Sequence, residues 1–240
     1  ERDTNLEHAC RMIERAADEH ADFVVLPECL DLGWTWPRAR TEARPIPGPA
    51  SQALADAARR CSIHVVAGLT ELAGDRVHNS AVLLSPAGEI LLRHRKINEL
   101  DIARDVYATG DSLAVASTVL GVVGVTICAD NFPESLCLAR ALAKMGARLL
   151  LSPCAWAVDA DHDNVAEPYG ELWRGAYSTL TRECALSVVG VSNVRWLTGG
   201  PWKGRRCIGC SIAMGPSGEL LAKAPYGDDA EALLVVDVPS

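Results

Sequence analysis

Three residues at the ends of apolar segments carry side chains suited to covalent chemistry. Cys128 closes the apolar run that begins at Gly121, Glu28 follows an apolar run that Pro27 ends, and Lys96 ends a third segment. A thiol supplies a nucleophile, a carboxylate carries protons and an ammonium stabilises negative charge on oxygen. Together these three types could carry out nucleophilic catalysis through a covalent intermediate.

The segment around Cys128 predicts a strand followed by a turn and a helix. We expect the strand at 121–128 and the helix near 134–146, with Pro133 in its first turn and Asp130 or Asn131 as its cap. A helix N-terminus near the sulfur favours negative charge there. Taken alone, the segment fits a buried structural cysteine slightly better, because buried cysteines are common.

Glu28 and Lys96 also have ordinary interpretations. A carboxylate at a strand end can be a solvated loop residue, and a lysine at a strand end can simply face water. For each residue taken alone, the ordinary interpretation is favoured. Rigid placement at a sheet edge with partial desolvation would instead make Glu28 a general base.

Helical and alternating patterns succeed one another along the chain. The sequence predicts helices at 5–20, 50–61, 134–146 and 169–184, strands at 22–27, 63–70, 78–85, 89–95, 121–128, 147–153, 186–193, 208–214, 219–223 and 232–238, and a polar loop at 157–168. The turn 85–88 predicts a hairpin between two of the strands. This alternation favours an α/β fold with mixed sheets, which two stacked sheets with helices outside would accommodate.

Composition limits the class of protein. With 240 residues, 49% of them hydrophobic, one domain spanning 1–240 is expected. The net charge of -8 argues against nucleic-acid partners, and no apolar run is long enough to span a membrane. Nine cysteines, unevenly spaced, favour a reducing compartment, and we expect the cytoplasm. Because the chain opens without methionine, we expect a short N-terminal segment to precede it.

The order of short motifs resembles the nitrilase, or carbon-nitrogen hydrolase, superfamily. The matching pieces are Asn5-Leu6-Glu7, Val25-Leu26-Pro27-Glu28, His94-Arg95-Lys96, Gly110-Asp111, Thr126-Ile127-Cys128-Ala129-Asp130 and Phe132-Pro133-Glu134. The resemblance implies a four-layer αββα sandwich of two mixed β-sheets flanked by helices. It also implies a homodimer or higher homo-oligomer and a catalytic triad of Glu28, Lys96 and Cys128.

Within that resemblance, further residues are assigned to the site. The backbone N–H of Ala129 is expected to join Lys96 in an oxyanion hole. Many family members place a second glutamate after the lysine. Here the loop is short, and we select Glu99 over Asp101 and Asp105.

The residues after the nucleophile indicate the substrate. We expect Asn131, Phe132 and Trp156 to bind it, and Trp156 or Trp173 to supply apolar walls. Relatives that hydrolyse N-carbamoyl amino acids place arginines after the cysteine, whereas this chain has none there. A small neutral or partly apolar amide is therefore the predicted substrate.

Other functions remain open on the sequence alone. They are a nitrilase, an N-carbamoyl amidohydrolase with Arg205 and Arg206 as carboxylate clamp, an acyltransferase using the same thioester, and a non-catalytic binding protein. Cys207 and Cys210 are interpreted as strand core, since a zinc site needs two more ligands. Asp159, Asp161, His162 and Asp163 are interpreted as a solvated loop. We expect neither a cofactor nor a metal.

Overall fold

The computed structural model describes residues 2–239. Its helices are α1 (Arg2–Asp18), α2 (Ala39–Glu42), α3 (Pro49–Cys61), α4 (Leu136–Lys144) and α5 (Glu171–Cys184). Short 3₁₀ turns lie at Asp101–Ala103, Cys128–Asn131 and Pro133–Ser135. None of the described helices is long and apolar enough to cross a bilayer.

Thirteen strands are found in the described part of the chain. They are β1 (Phe23–Val25), β2 (His64–Ala73), β3 (Arg76–Leu84), β4 (Ile90–Arg95), β5 (Val115–Thr118), β6 (Gly121–Val125), β7 (Leu149–Cys154), β8 (Ala157–Val158), β9 (Ser187–Ser192), β10 (Val194–Trp196), β11 (Arg206–Ile208), β12 (Ile212–Met214) and β13 (Leu220–Lys223). They form sheets of four, six and three strands.

The first sheet has the order β1-β2-β3-β4. β1 runs parallel to β2, and the other neighbours are antiparallel. The predicted hairpin is confirmed: β3 and β4 are joined at Ser85, whose hydroxyl accepts the N–H groups of Ala87 and Glu89. Helices α1 and α3 cover one face and bury Ile13 and Leu54 completely.

The second sheet has the order β13-β12-β9-β7-β6-β5. Its central strands β6, β7 and β9 are parallel, and its outer strands are antiparallel. Helices α4 and α5 cover its outer face with Leu142, Tyr177 and Leu180, all fully buried. A small sheet, β10-β11-β8, lies beside the two main sheets.

The inner faces of the two large sheets pack on each other. Val66 and Leu83 of the first sheet share a cluster with Val123, Val125 and Leu151 of the second. Helix, sheet, sheet and helix therefore follow one another, which confirms the predicted αββα sandwich of mixed sheets.

Two predicted boundaries moved, and two predicted strands were wrong. The predicted strand 208–214 is divided between β11 and β12, which belong to different sheets. β6 ends at Val125 rather than at Cys128, and α4 begins at Leu136 after two 3₁₀ turns. Residues 232–238 belong to no sheet in the described chain. An apolar run becomes a strand only when a neighbour completes its backbone hydrogen bonds, and the sequence does not show whether that neighbour exists. The short strands β5, β8 and β10 were not predicted, and β8 occupies the start of the predicted loop 157–168.

Candidate active site

Glu28 follows the end of β1, where the chain passes very close to β2. A Cβ atom at Gly68 would lie 2.5 Å from the Cα of Glu28, so only glycine permits this approach. The Glu28 N–H donates to the Cys154 carbonyl at 3.2 Å, and the Asn193 side chain donates to the Glu28 carbonyl at 2.8 Å. These bonds reach across to β7 and β9, so Glu28 is held between the two sheets.

Lys96 follows β4, and its side chain reaches the Glu28 carboxylate. Its Nζ donates to Oε1 of Glu28 at 2.7 Å, and both side chains are only 1% exposed. Burial opposes the charge on Lys96, but the Glu28 and Glu99 carboxylates outweigh it and hold the pKa of the ammonium well above its usual range. Lys96 is therefore a buried, permanently charged cation.

Cys128 begins the 3₁₀ turn that follows β6. Its φ of 44° is unusual for a residue with a side chain. The Cys128 N–H donates to the Ser152 hydroxyl at 3.2 Å, which also accepts the Asn131 amide at 3.0 Å. A non-glycine residue is thus held in a left-handed conformation by bonds to β7, as is common at functional sites.

The thiol of Cys128 lies within the electrostatic influence of both charged residues. A hydrogen bond with Cys154, burial and the Glu28 carboxylate raise the pKa of the Cys128 thiol well above its usual range, and Lys96 opposes them. The Cys128 side chain is therefore a neutral thiol at neutral pH. A stable thiolate, which the helix N-terminus alone would favour, is not what this environment supports.

Glu99 also lies in this buried group. It is 2% exposed, and within residues 2–239 neither of its carboxylate oxygens has a hydrogen-bond partner. Burial raises the pKa of Glu99 to about 8, although Lys96 lowers it and Glu28 raises it. Glu99 thus holds a proton at neutral pH. Asp101 and Asp105 are exposed, so Glu99 is the only one of these three candidate carboxylates that is buried.

The predicted cap of α4 is wrong, because Asp130 and Asn131 have other partners. Oδ1 of Asp130 accepts the N–H groups of Ile97 and Asn98, and Oδ2 accepts the N–H of Ile127 and lies 2.8 Å from His94 Nε2. Asp130 therefore joins the segment after Lys96 to the turn that carries Cys128.

The remaining predicted site residues lie around this turn. Ala129 is buried, and its carbonyl accepts the Asn98 side chain at 2.8 Å. The Asn131 amide nitrogen is bonded to Thr126 and Ser152, so this side chain supports the turn. Its Oδ1 has no hydrogen-bond partner among the described residues, and the expectation that Asn131 binds substrate stays a prediction.

Aromatic side chains form a row that starts at Phe132, directly after the 3₁₀ turn that contains Cys128. Phe132 packs against Trp173 with ring centroids 5.3 Å apart, and Trp173 stacks on Trp156 at 4.8 Å. Trp156 is 1% exposed, and its Nε1–H has no partner among the described residues. The row is therefore part of a hydrophobic core cluster and contains one unsatisfied donor.

Arg205 and Arg206 are engaged elsewhere. Arg205 pairs with Asp159 at 2.8 Å and stacks on Trp202 at 4.4 Å. Arg206 donates to the His162 carbonyl at 3.0 Å. Cys207 and Cys210 are buried free thiols, consistent with strand core. No group of three or more potential metal ligands occurs in the described chain.

A separate cavity of about 1160 Å³ lies between α1, β1, β9 and residues 230–238. Neither Glu28, Lys96 nor Cys128 lines it. The cavity is therefore distinct from the buried group formed by these three residues.

Several residues of the site were not predicted from sequence. Asn79, His94, Asp130 and Ser152 are buried. Asn79 donates to Glu28 and Ser152 accepts the Cys128 N–H, whereas His94 and Asp130 are hydrogen-bonded to each other. Their common signal is a polar residue within or just after an apolar strand, which costs free energy unless it is paired.

Comparison with known proteins identifies the family. The carbon-nitrogen hydrolase family model matches residues 1–240. An omega-amidase of Xenopus laevis is 30% identical over 237 residues, covering 92% of this chain and 79% of the relative. One of Xenopus tropicalis is 33% identical over 163 residues, but the match covers only 63% of this chain and 58% of that relative.

A solved structure shows the same architecture. A nitrilase-superfamily member from Saccharomyces cerevisiae superposes with a TM-score of 0.79 at 27% identity, covering 95% of this chain and 82% of the other. The chain therefore belongs to the carbon-nitrogen hydrolase family of nitrilase-like enzymes, which confirms the predicted family.

Proposed function

We propose that this protein hydrolyses a small neutral or partly apolar primary amide to ammonia and an acid, through a thioester at Cys128. The observation that carries the proposal is the buried Glu28–Lys96 ion pair, 2.7 Å long, beside the turn that presents the thiol. Buried pairs are costly for stability unless well compensated, so their retention needs another reason. The similarity to omega-amidases also supports hydrolysis of an amide.

In the first half of the reaction, Glu28 takes the thiol proton as sulfur attacks the amide carbon. The carbonyl oxygen becomes negative, and the Lys96 ammonium with the Ala129 N–H stabilises it. The tetrahedral species then collapses, the carbon-nitrogen bond breaks, and Glu28 returns the proton to the departing nitrogen. The products of this half are ammonia and the Cys128 acyl-thioester.

In the second half, water replaces the amide nitrogen. Glu28 removes a proton from water, the resulting hydroxide attacks the thioester carbon, and the carbon-sulfur bond breaks. Sulfur recovers the proton, so acid and free thiol are released. Because Glu99 is protonated at neutral pH, we assign it as a hydrogen-bond donor that orients the substrate or the attacking water.

The pocket chemistry supports a neutral substrate. No arginine lies among residues 129–132, and Arg205 and Arg206 already pair with Asp159 and Asp228. The aromatic row of Phe132, Trp173 and Trp156 supplies an apolar wall instead. A nitrile remains the second candidate, because the same thiol can attack its carbon.

The proposal is tested by measuring ammonia release from matched primary amides, nitriles and N-carbamoyl amino acids. We expect the highest kcat/KM for the amides and no turnover by Cys128→Ala. A preference for carbamoyl acids would reassign Arg205 and Arg206 as a clamp. Ammonia release that needs added hydroxylamine or amine would indicate an acyltransferase, and no release from any substrate would overturn the proposal.

A further inference from the structure

The two carboxylate oxygens of Glu28 have different surroundings. Oε1 accepts hydrogen bonds from Lys96 Nζ at 2.7 Å and from Asn79 Nδ2 at 2.6 Å. Oε2 is buried and has no partner within the described chain. Two donors on one oxygen fix the carboxylate plane and leave the other oxygen available to exchange a proton.

Asn79 is well placed to hold both charged residues. It lies in β3 and is fully buried. Its side chain contacts Glu28, while its backbone carbonyl accepts the Lys96 N–H at 2.8 Å. A buried amide in an apolar strand is costly unless its hydrogen bonds are made, and here one of them is made to the proposed base.

The orientation of the Asn79 amide is fixed by contacts to its oxygen atom, the end that does not face Glu28. The Cys29 thiol donates to Oδ1 of Asn79 at 3.3 Å, and the sulfur lies 3.6 Å from the Tyr107 hydroxyl. The Thr35 N–H donates to that hydroxyl oxygen at 2.9 Å. Burial raises the pKa of both the Cys29 thiol and the Tyr107 phenol well above their usual ranges, so both stay neutral.

These contacts oppose a half-turn rotation of the Asn79 amide. An amide rotated by half a turn would present its oxygen to the Glu28 carboxylate and its NH₂ group to Cys29. The thiol as donor needs an oxygen acceptor, so it favours the orientation in which Nδ2 faces Glu28. Cys29 therefore selects the amide orientation that stabilises the carboxylate.

We propose that Asn79 is a positioning residue for the proposed amidase reaction, holding Oε1 of Glu28 so that Oε2 serves the Cys128 thiol, with Cys29 fixing the amide. This inference rests on the proposed function. The titratable groups that act on Glu28 or are acted on by it come from several elements: Lys96, Glu99, Cys128, Cys29 and Cys207.

The first test compares Asn79→Leu with wild-type enzyme in amide hydrolysis across pH. Hydrogen bonds to charged groups are strong, so we expect kcat to fall about 10- to 100-fold with KM little changed. We also expect the acid limb of the kcat profile to move to higher pH, because one of two donors to the ionised carboxylate is lost. Ser80→Ala is the control, because Ser80 is also buried in the same strand but its hydroxyl donates to Glu71 rather than to Glu28; its acid limb should not move.

The second test separates positioning from folding. Cys29→Ser keeps a donor to Asn79, whereas Cys29→Ala removes it. We expect the serine variant to retain near wild-type kcat and the alanine variant to lose about fivefold, the effect of one neutral hydrogen bond. These two Cys29 variants test the positioning role of Asn79 even if Asn79→Leu does not fold.

Failure of the inference is distinct from failure of the proposed function. If wild-type enzyme releases ammonia but Asn79→Leu only lowers Tm, with kcat and the acid limb unchanged, the positioning role is wrong. Equal losses in Cys29→Ser and Cys29→Ala would also overturn it. Absence of hydrolysis by wild-type enzyme would instead overturn the proposed function, and this inference with it.

Discussion

At the scale of single residues, the site combines buried charges of opposite sign with a neutral thiol. Removing one partner of a buried ion pair leaves the other uncompensated, which costs about 3–5 kcal/mol in stability. Glu28 and Lys96 are both 1% exposed in their side chains. Their substitution should therefore affect folding as well as catalysis, and the kinetics must be measured on folded protein.

We predict that Glu28→Gln and Lys96→Ala each lower kcat by roughly 10²- to 10⁴-fold, as loss of a general base or an oxyanion donor does. Because the two residues act on the same step, the double variant should lose much less than the product of the single losses. Steady-state kinetics of the three variants on one amide provide the measurement. Multiplicative losses would show that the residues act independently.

Glu99 gives a prediction in which stability and activity change in opposite directions. Its pKa is raised from 4.5 to about 8 in the folded chain. Between these values the unfolded chain releases the proton and the folded chain keeps it, so stability falls as pH rises through this window. Glu99→Gln removes that dependence.

Glu99→Gln should therefore raise the free energy of unfolding at pH 7 by up to about 3 kcal/mol, with the gain vanishing near pH 4.5, while kcat falls. Denaturant titrations at several pH values measure the first effect. Asp105→Asn, which changes an exposed carboxylate in the same segment, is the matched control. A kinetic defect confined to the Asp105 variant would reassign the second carboxylate.

At the scale of elements, the three side chains of the proposed triad come from segments that follow three different strands, and only tertiary contacts align them. Glu28 and Lys96 follow β1 and β4, as their sequence positions predict. The 3₁₀ turn at Cys128 was not predictable, because the bonds that bend it come from Ser152 on β7 and from Asp130. An apolar run continuing to Ile127 looks like strand until those partners are known.

Asp130 is the main connection between two of these elements. Its carboxylate accepts three backbone N–H groups and contacts His94 at 2.8 Å. Burial opposes the charge, yet the His94 hydrogen bond and the backbone donors outweigh it and hold the pKa of Asp130 below its usual range. The carboxylate is thus ionised at neutral pH.

Asp130→Ala should destabilise the protein by about 3 kcal/mol or more, because several buried donors lose their acceptor. We expect kcat to fall as well, since the Lys96 and Cys128 segments lose their shared partner. Thermal unfolding and amide kinetics measure the two effects. Glu134→Gln, an exposed change nearby, is the control, and an Asp130 variant with the stability and kcat of that control would contradict this role.

At the scale of the whole molecule, the sandwich brings residues from distant parts of the sequence together. Periodicity was enough to predict α1, α3, α4, α5 and the β3–β4 hairpin, because these depend on local pattern and turn residues. The short helix α2 was not predicted. Strand order was not predictable, because pairing such as β1 with β2 joins segments separated by two helices. The predicted strand at 232–238 was wrong for the same reason, because the sequence does not show whether a neighbouring strand pairs with it. The expected homo-oligomer stays a prediction, which light scattering on the purified protein would test.

The central claim is that amide hydrolysis passes through an acyl-thioester on Cys128. Intact-mass analysis of protein quenched in acid during turnover, followed by peptide mapping, tests it directly. We predict one added acyl group on Cys128 that disappears when substrate is exhausted, and neither adduct nor ammonia with Cys128→Ala. An adduct on another residue, or turnover by Cys128→Ala near the wild-type rate, would contradict the account.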